Sequence, residues 1–352
     1  MKGVVFPGNR QTEIRDFPDP TPGEEEVVLE IKASGMCGSD LHIYRSAGGG
    51  AAQARALGLG GEGGEVIAGH EPCGVVVARG KNVGDRQARL GARVMQHHYH
   101  GCGTCPDCVD GWSQMCGAPG KTVYGITGHG GHAKYMKCPA HTLIALPDAL
   151  SFETGAAISC GTGTAYGALR RLDMNGGKTL AVFGQGPVGT SATMLGKAMG
   201  VRVIALDVSD ERLTLAKACG ADATVNPTKV DAVEALKSLT GGHGVDYAVE
   251  CSSAETARAA IRGARSWGKV CFVGEGGTVS IDVSPDMLRK QLTLLGSWTF
   301  NKQRQDECAR FIAANKVPIE TLISDRYSLG EAEAAYKKFD KQTMGKGMIL
   351  PA

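Results

Sequence analysis

The sequence predicts a two-domain α/β protein in which an irregular antiparallel β-barrel is joined to a doubly wound parallel sheet. Three observations carry that expectation. The chain has 352 residues, more than one hydrophobic core usually serves, because single cores stop growing at roughly 250–300 residues. Its first half is built of short β-type runs broken by Gly and Pro. From about residue 160 onward, apolar strands alternate with helical patterns, as βαβ units require.

In the first half, "VVLEIKASG", "GVVVARG" and "ARVMQH" are rich in strand-forming residues, and the glycines and prolines between them mark the turns of an irregular barrel. The segment "SAGGGAAQARALGLGGEGGE" at 46–65 is glycine-rich and is expected to form a long mobile loop, either a lid or a tolerated surface insertion. Next comes "TLAVFGQGPVGTSATMLGKAMGVRVIALDVSDERLTLAKACGADATVN", whose helical patterns end at Gly200 and Gly220, where glycine can close a helix. The alternation continues through "VDYAVECSS" and "KVCFVGEGG" to "LTLLGSWT", enough strands for a doubly wound sheet. Two helical patterns near 302–315 and 329–340 have no strand series of their own and are expected to rejoin the first domain.

Composition narrows the function. The chain is 42% hydrophobic and 21% charged, with a net charge of +2, which is ordinary for a folded globular protein and offers no basic tract to nucleic acid or an anionic membrane. Small molecules and copies of the same chain are the expected partners. The N-terminus meets Pro7 and charged residues before a long apolar run develops, and no stretch reaches transmembrane length, so a cytoplasmic location is expected. Twelve cysteines in a reducing compartment point to metal ligation wherever they cluster.

They cluster in "GCGTCPDCVDGWSQMC" at 101–116. Cys102, Cys105, Cys108 and Cys116 follow C-x2-C-x2-C-x7-C, with turn-forming Gly, Pro and Asp between them. Four thiolates converging this way form a tetrahedral zinc site with no open position, which holds a loop and does no chemistry. An iron–sulfur cluster is the competitor, but the closing C-x3-C-P spacing is absent. His97, His98 and His100 just upstream are expected to belong to a half-buried strand entering the lobe rather than to the metal.

In "VFGQGPVG", Gly184, Gly186 and Gly189 have G-x-G-x-x-G spacing directly after a strand and at the start of a helix, the context that makes this pattern informative. The glycines allow a tight turn, close approach of a pyrophosphate and close packing of helix on strand. Pro187 suits a first helical turn, and the helix N-terminus faces the anion. Asp207 closes the second strand, "VRVIALD", where a carboxylate accepts from ribose hydroxyls and repels a 2′-phosphate, so NAD is expected over NADP.

Three further candidates lie beside glycines: Cys37 in "GMCGSDLH", His70 in "AGHEP" and Cys160 in "ISCGTGTAYG". Two thiolates and one imidazole would leave the fourth tetrahedral position open, as a catalytic zinc requires. Taken singly, each cysteine could equally be a small buried hydrophobe.

The ordered set "GMCGSD", "GHE", the four-cysteine lobe, "CGTGTAYGAL" and "VFGQGPVG…LD" resembles the zinc-containing medium-chain dehydrogenases, the alcohol dehydrogenase family, over nearly the whole chain. The resemblance implies a GroES-like catalytic domain from 1–160 and 298–352, with its zinc lobe at about 97–118, and a Rossmann domain from 161–297. It implies two zinc ions per chain: a structural one in the lobe, and a catalytic one on Cys37, His70 and Cys160, with Glu71 able to swing onto the metal or simply to support the site. Asp40 would accept the free ring N–H of His70. Ser39 and His42 would relay the alcohol proton to the surface. By the same resemblance Pro187 and Val188 lie at the pyrophosphate, Arg212 near the adenosine ribose, Thr164 behind the nicotinamide, and Lys346 supplies a late positive charge for the phosphates. The implied activity is reversible, zinc-dependent, NAD-linked oxidation of a neutral alcohol, secondary or a diol, by a homo-oligomer, with a tetramer favoured over a dimer. The alternatives are a polyol, an amino alcohol such as threonine, an aldehyde adduct, or a protein that binds NAD and zinc without catalysis.

Overall fold

The computed structural model describes residues 1–49, 65–341 and 344–351. The predicted loop at 46–65 therefore lies outside the described residues over 50–64. The chain divides into two compact units: Met1–Cys160 with Asn301–Ala313 and Ile323–Ala352, and Gly161–Phe300 with Ala314–Leu322. Residues 298–300 and 314–322, which the sequence assigned to the first domain, pack with the second unit.

Among the described residues, the first unit is organised by a seven-stranded sheet. Its long central strand, Glu26–Gly35, pairs antiparallel with Glu71–Arg79, Tyr135–Pro139 and Lys346–Leu350. Alternation explains the strand: Val27, Leu29 and Ile31 face a core shared with Val76, Val94 and Met136. The one parallel pair, Ile323–Ser328 with Lys346–Leu350, closes the sheet edge with strands from the end of the chain. A second core gathers Phe6, Met36, Tyr44, Ala335, Tyr336 and Ile349, so the C-terminal helix Ala332–Phe339 packs beside the helix Gly38–Arg45 that follows Cys37.

The second unit carries six parallel strands: Thr179–Phe183, Arg202–Leu206, Ala223–Val225, Val245–Glu250, Ala264–Phe272 and Thr293–Gly296. In chain order their positions across the sheet are 3-2-1-4-5-6, the doubly wound order whose switch point lies at the carboxyl end of the first strand. Ala181, Phe183, Ile204, Leu206 and Ala248 are fully buried or nearly so, which is why these strands are continuously apolar in sequence. Gly184, which ends the first strand, has a φ of +82°. No helix among the described residues is long and apolar enough to cross a membrane.

Candidate active site and metal centres

The four-cysteine lobe forms as its spacing requires. The Sγ atoms of Cys102, Cys105, Cys108 and Cys116 lie within 4.8 Å of one another. A short helical turn, Pro106–Val109, starts after Cys105, and backbone N–H groups point inward: Cys105 N–H donates to Cys102 Sγ at 3.3 Å and Cys102 N–H to Cys116 Sγ at 3.4 Å. The Thr104 hydroxyl, with the backbone N–H groups of Thr104 and Cys105, holds the Cys102 thiol down at about 6. Four soft donors with amides trained on the sulfurs fit zinc, and no protein-free position is left.

The second cluster is assembled from three segments. Cys37 precedes the helix Gly38–Arg45, His70 precedes the strand Glu71–Arg79, and Cys160 follows the helix Phe152–Ile158, whose start is capped by Ser151 accepting from Thr154 N–H. The donor atoms of Cys37, His70, Glu71 and Cys160 all lie within 4.8 Å of one another. Cys37 Sγ is 3.8 Å from Cys160 Sγ. The Cys37 thiol is held well below its ordinary value, chiefly by the hydrogen bond from Cys160, whose own thiol is held well above.

His70 is oriented from behind. Its Nδ1 lies 2.9 Å from Asp40 Oδ1, both groups buried, which leaves Nε2 for the thiolates. Asp40 Oδ2 also accepts the Cys37 N–H at 2.9 Å, so one carboxylate fixes two members of the cluster. This donor set, two sulfurs and a nitrogen with a carboxylate near, fits a zinc ion with an open position.

Glu71 is fully buried and faces Lys346, with Nζ 2.5 Å from Oε2. Burial pushes the carboxyl up, and the neighbouring ammonium pulls against that push. Lys346 Nζ also donates to the Met36 carbonyl at 3.0 Å. This is a correction to the sequence reading: Lys346 is 1% exposed and engaged with Glu71, not presented toward phosphates. A buried ammonium needs a carboxylate partner, and Glu71 supplies it.

Ser39 and His42 stand three residues apart on the helix Gly38–Arg45, hence on one face, and both are exposed. Ser39 Oγ is 3.8 Å from Cys37 Sγ, so the hydroxyl borders the cluster while His42 looks to solvent. His97, His98 and His100 lie outside the cluster. His98 Nδ1 bonds the Ser159 carbonyl at 3.1 Å, His97 Nδ1 bonds Gln305 Oε1 at 3.1 Å, and His100 Nδ1 lies 3.2 Å from His141 Nε2.

In the second unit the glycine turn sits at the switch point. Gly186 caps the helix Pro187–Ala198, with Pro187 and Val188 in its first turn. A Cβ on Gly189 would lie 1.7 Å from the Gly184 carbonyl oxygen, so helix and turn touch there, whereas one on Gly186 would meet nothing within 4 Å. That open space beside the unbonded N–H groups of a helix start fits a phosphate. Asp207 ends the second strand, accepting from Gln185 N–H at 2.6 Å and Ser209 N–H at 2.9 Å. Arg212 lies at the same strand end, with Nη1 3.7 Å from Asp207 Oδ2. Thr164 is buried within the helix Gly161–Leu172.

Sequence reasoning missed Gln185, Thr104, His132 and Tyr336, of which Tyr336 donates to Asp40 Oδ2 at 3.1 Å. For the last of these no spacing exists to be read, because the two residues are 296 positions apart.

Residues 23–148 match the alcohol dehydrogenase GroES-like domain and residues 187–314 match the zinc-binding dehydrogenase domain. The chain is 38% identical to the uncharacterized zinc-type alcohol dehydrogenase-like protein YphC of Escherichia coli (strain K12), covering 99% of this chain and 98% of that one. It is 32% identical to an alcohol dehydrogenase of Geobacillus stearothermophilus, covering 93% and 96%. Among solved structures, a zinc-binding dehydrogenase from Sinorhizobium meliloti 1021 bound to NADP superposes with a TM-score of 0.87 at 28% identity, covering 99% of each chain. The chain belongs to the zinc-type medium-chain dehydrogenase/reductase family.

Proposed function

We propose that the protein is a zinc-dependent, NAD-linked alcohol dehydrogenase that interconverts a neutral alcohol, secondary or a diol, with its carbonyl compound. The observation that carries this reading is the gathering of Cys37, His70 and Cys160 around one point, with Ser39 at its border. When bound there and at the glycine turn, zinc supplies Lewis acidity to the alcohol oxygen and NAD accepts the hydride.

The rest falls to the chain. Cys37, Cys160 and His70 hold the metal, and the two sulfurs offset its charge without a further buried anion. Asp40 keeps the His70 Nδ1 protonated so that Nε2 ligates. The Ser39 hydroxyl accepts the alcohol proton as it gives up its own, and His42, one turn on, passes that proton to solvent. Glu71 and Lys346 neutralise each other, so that pair calls for no ionic substrate. In the second unit Asp207, pinned by two backbone N–H groups, faces the ribose as a fixed negative charge and favours NAD.

The lobe holds a second, structural zinc on Cys102, Cys105, Cys108 and Cys116. By family likeness, the working unit is a cytoplasmic homotetramer acting on small molecules, without nucleic-acid or membrane partners. The test is reduction of NAD, then of NADP, followed by absorbance across primary alcohols, secondary alcohols, diols, sugar alcohols and threonine. The reading expects a secondary alcohol or diol to lead with NAD. A lead by threonine or a sugar alcohol would replace the substrate class, and a preference for NADP would replace the cofactor.

A further inference from the structure

Asp40, which orients His70, is itself held from the far side. The Tyr336 hydroxyl lies 3.1 Å from Asp40 Oδ2 and 2.7 Å from His132 Nε2, and His132 Nδ1 lies 2.8 Å from Ser34 Oγ. Ser34, Asp40, His70, His132 and Tyr336 are all 2% exposed or less. The run links the strand Glu26–Gly35 to the C-terminal helix Ala332–Phe339 and ends on a residue of the metal cluster.

Proton positions follow by elimination. A carboxylate only accepts, so the one hydroxyl proton of Tyr336 goes to Asp40. His132 must then donate through Nε2, and its Nδ1 accepts from the Ser34 hydroxyl. Burial supports this assignment, since it pushes the His132 imidazole down to about 4, so the ring is neutral, and holds the Tyr336 phenol well above its ordinary value. Each member is left one role, and the run has one direction.

Packing ties the same residues to the backbone of His70. Gly69 has a φ of +88°, and a Cβ there would lie 2.3 Å from His132 Nδ1, so the His132 ring packs against the residue that leads into His70. The segments pair alongside: Gly130 N–H donates to Ile67 O at 2.7 Å, Gly131 N–H to Gly69 O at 2.7 Å and His132 N–H to Ala68 O at 2.9 Å. The Tyr336 ring is set by edge contact with Phe6, at 4.6 Å between centroids.

We propose that Tyr336 and His132 are positioning residues for the metal ligand His70. Ser34 donates to His132, His132 to Tyr336 and Tyr336 to Asp40, whose other oxygen accepts from His70, so that the imidazole presents Nε2 to the thiolates before any metal arrives. The inference rests on the reading of Cys37, His70 and Cys160 as a metal site. It adds that the metal's affinity depends on groups two and three hydrogen bonds away from it, one of them on the last helix of the chain.

The test is the zinc affinity of each of the two sites, measured on the full chain by chelator competition and by the visible spectrum of the cobalt-substituted protein. The variants are Tyr336→Phe, His132→Leu and His132→Gln, and the four-cysteine lobe is the internal reference. Tyr336→Phe and His132→Leu are expected to weaken the second site by about 10- to 100-fold with the lobe unchanged. His132→Gln, whose amide N–H can reach the Tyr336 oxygen, is expected to recover most of that loss. Affinity in Tyr336→Phe within about twofold of the unaltered chain would overturn the inference, as would equal weakening of both sites in all three variants. If the unaltered chain holds zinc in the lobe alone, the reading of the second site as a metal site fails, and the inference with it. Two zincs in the unaltered chain and no effect of the variants would sink the inference alone.

Discussion

At the residue scale, the proposed cofactor choice and proton path rest on single side chains. Asp207 holds its carboxylate by two backbone amides, so replacing it costs the turn an anchor as well as a charge. Asp207→Gly is predicted to raise the NADP-to-NAD ratio of kcat/KM by at least about fivefold, since a unit charge a few ångströms from a phosphate acts with about 1–4 kcal/mol. An unchanged ratio in steady-state kinetics would remove Asp207 from the ribose. Ser39→Ala is predicted to lower kcat by about 100-fold with little change in KM, because the hydroxyl moves a proton and does not bind the metal. A fall in zinc content instead would assign Ser39 to the metal site's structure. These residues were legible in the sequence through their neighbours, "CGSDLH" and "VIALD". Lys346 was legible only as a late cation, since nothing in sequence says that a lysine will turn inward to a buried glutamate.

At the scale of the element, the glycine turn and its helix are the most legible part of the molecule. The triplet directly after an apolar strand predicted a tight turn, close approach of a phosphate and close packing of helix on strand, and the structure has open space at Gly186 and Gly189 set against the Gly184 carbonyl. Gly189→Ala places a methyl 1.7 Å from that oxygen, so the helix must shift and the phosphate-facing amides with it. Its NAD affinity, by calorimetric titration, is expected to fall by about tenfold or more, while zinc content stays the same. The C-terminal helix Ala332–Phe339 was legible as a helix, through its apolar periodicity, and as part of the first domain. Its hydrogen bond to Asp40 was not, because a tyrosine on an apolar face carries no mark of the partner its hydroxyl will find. The displacement of residues 314–322 into the second unit has the same origin, since a short segment between two helical patterns declares no allegiance in sequence.

At the scale of the whole molecule, the twelve cysteines divide by chemistry. Cys37, Cys160 and the four of the lobe fall in the two clusters whose donors could hold a metal. Burial pushes the thiols of Cys73, Cys138, Cys219, Cys251, Cys271 and Cys308 up, which leaves them inert packing groups. In metal-depleted protein, alkylation followed by mass spectrometry is expected to label Cys102 first, since it is exposed and its thiol sits at about 6. Labelling of Cys73 or Cys138 before Cys102 would contradict this division.

Stability should depend on pH through the buried histidines. His97 and His132 are both pushed down to about 4 by burial, below the value near 6.5 that the unfolded chain has. The unfolded state therefore binds more protons between those limits, and stability is full above about 6.5 and falls as pH drops toward 4, by up to about 3 kcal/mol per group. Urea midpoints across that range, in the unaltered chain and in His132→Gln, measure the fall and the share due to His132.

The central claim is that Cys37, His70 and Cys160 hold a catalytic zinc while the lobe holds a structural one. Its most direct test is zinc per chain, measured beside alcohol-dependent NAD reduction in the same preparations of the unaltered chain and of Cys37→Ser. The account predicts one metal for each cluster and turnover in the unaltered chain, then a folded variant that keeps the lobe zinc alone and no longer reduces NAD. Turnover by Cys37→Ser at the unaltered rate, or by a chain with zinc only in the lobe, would contradict it.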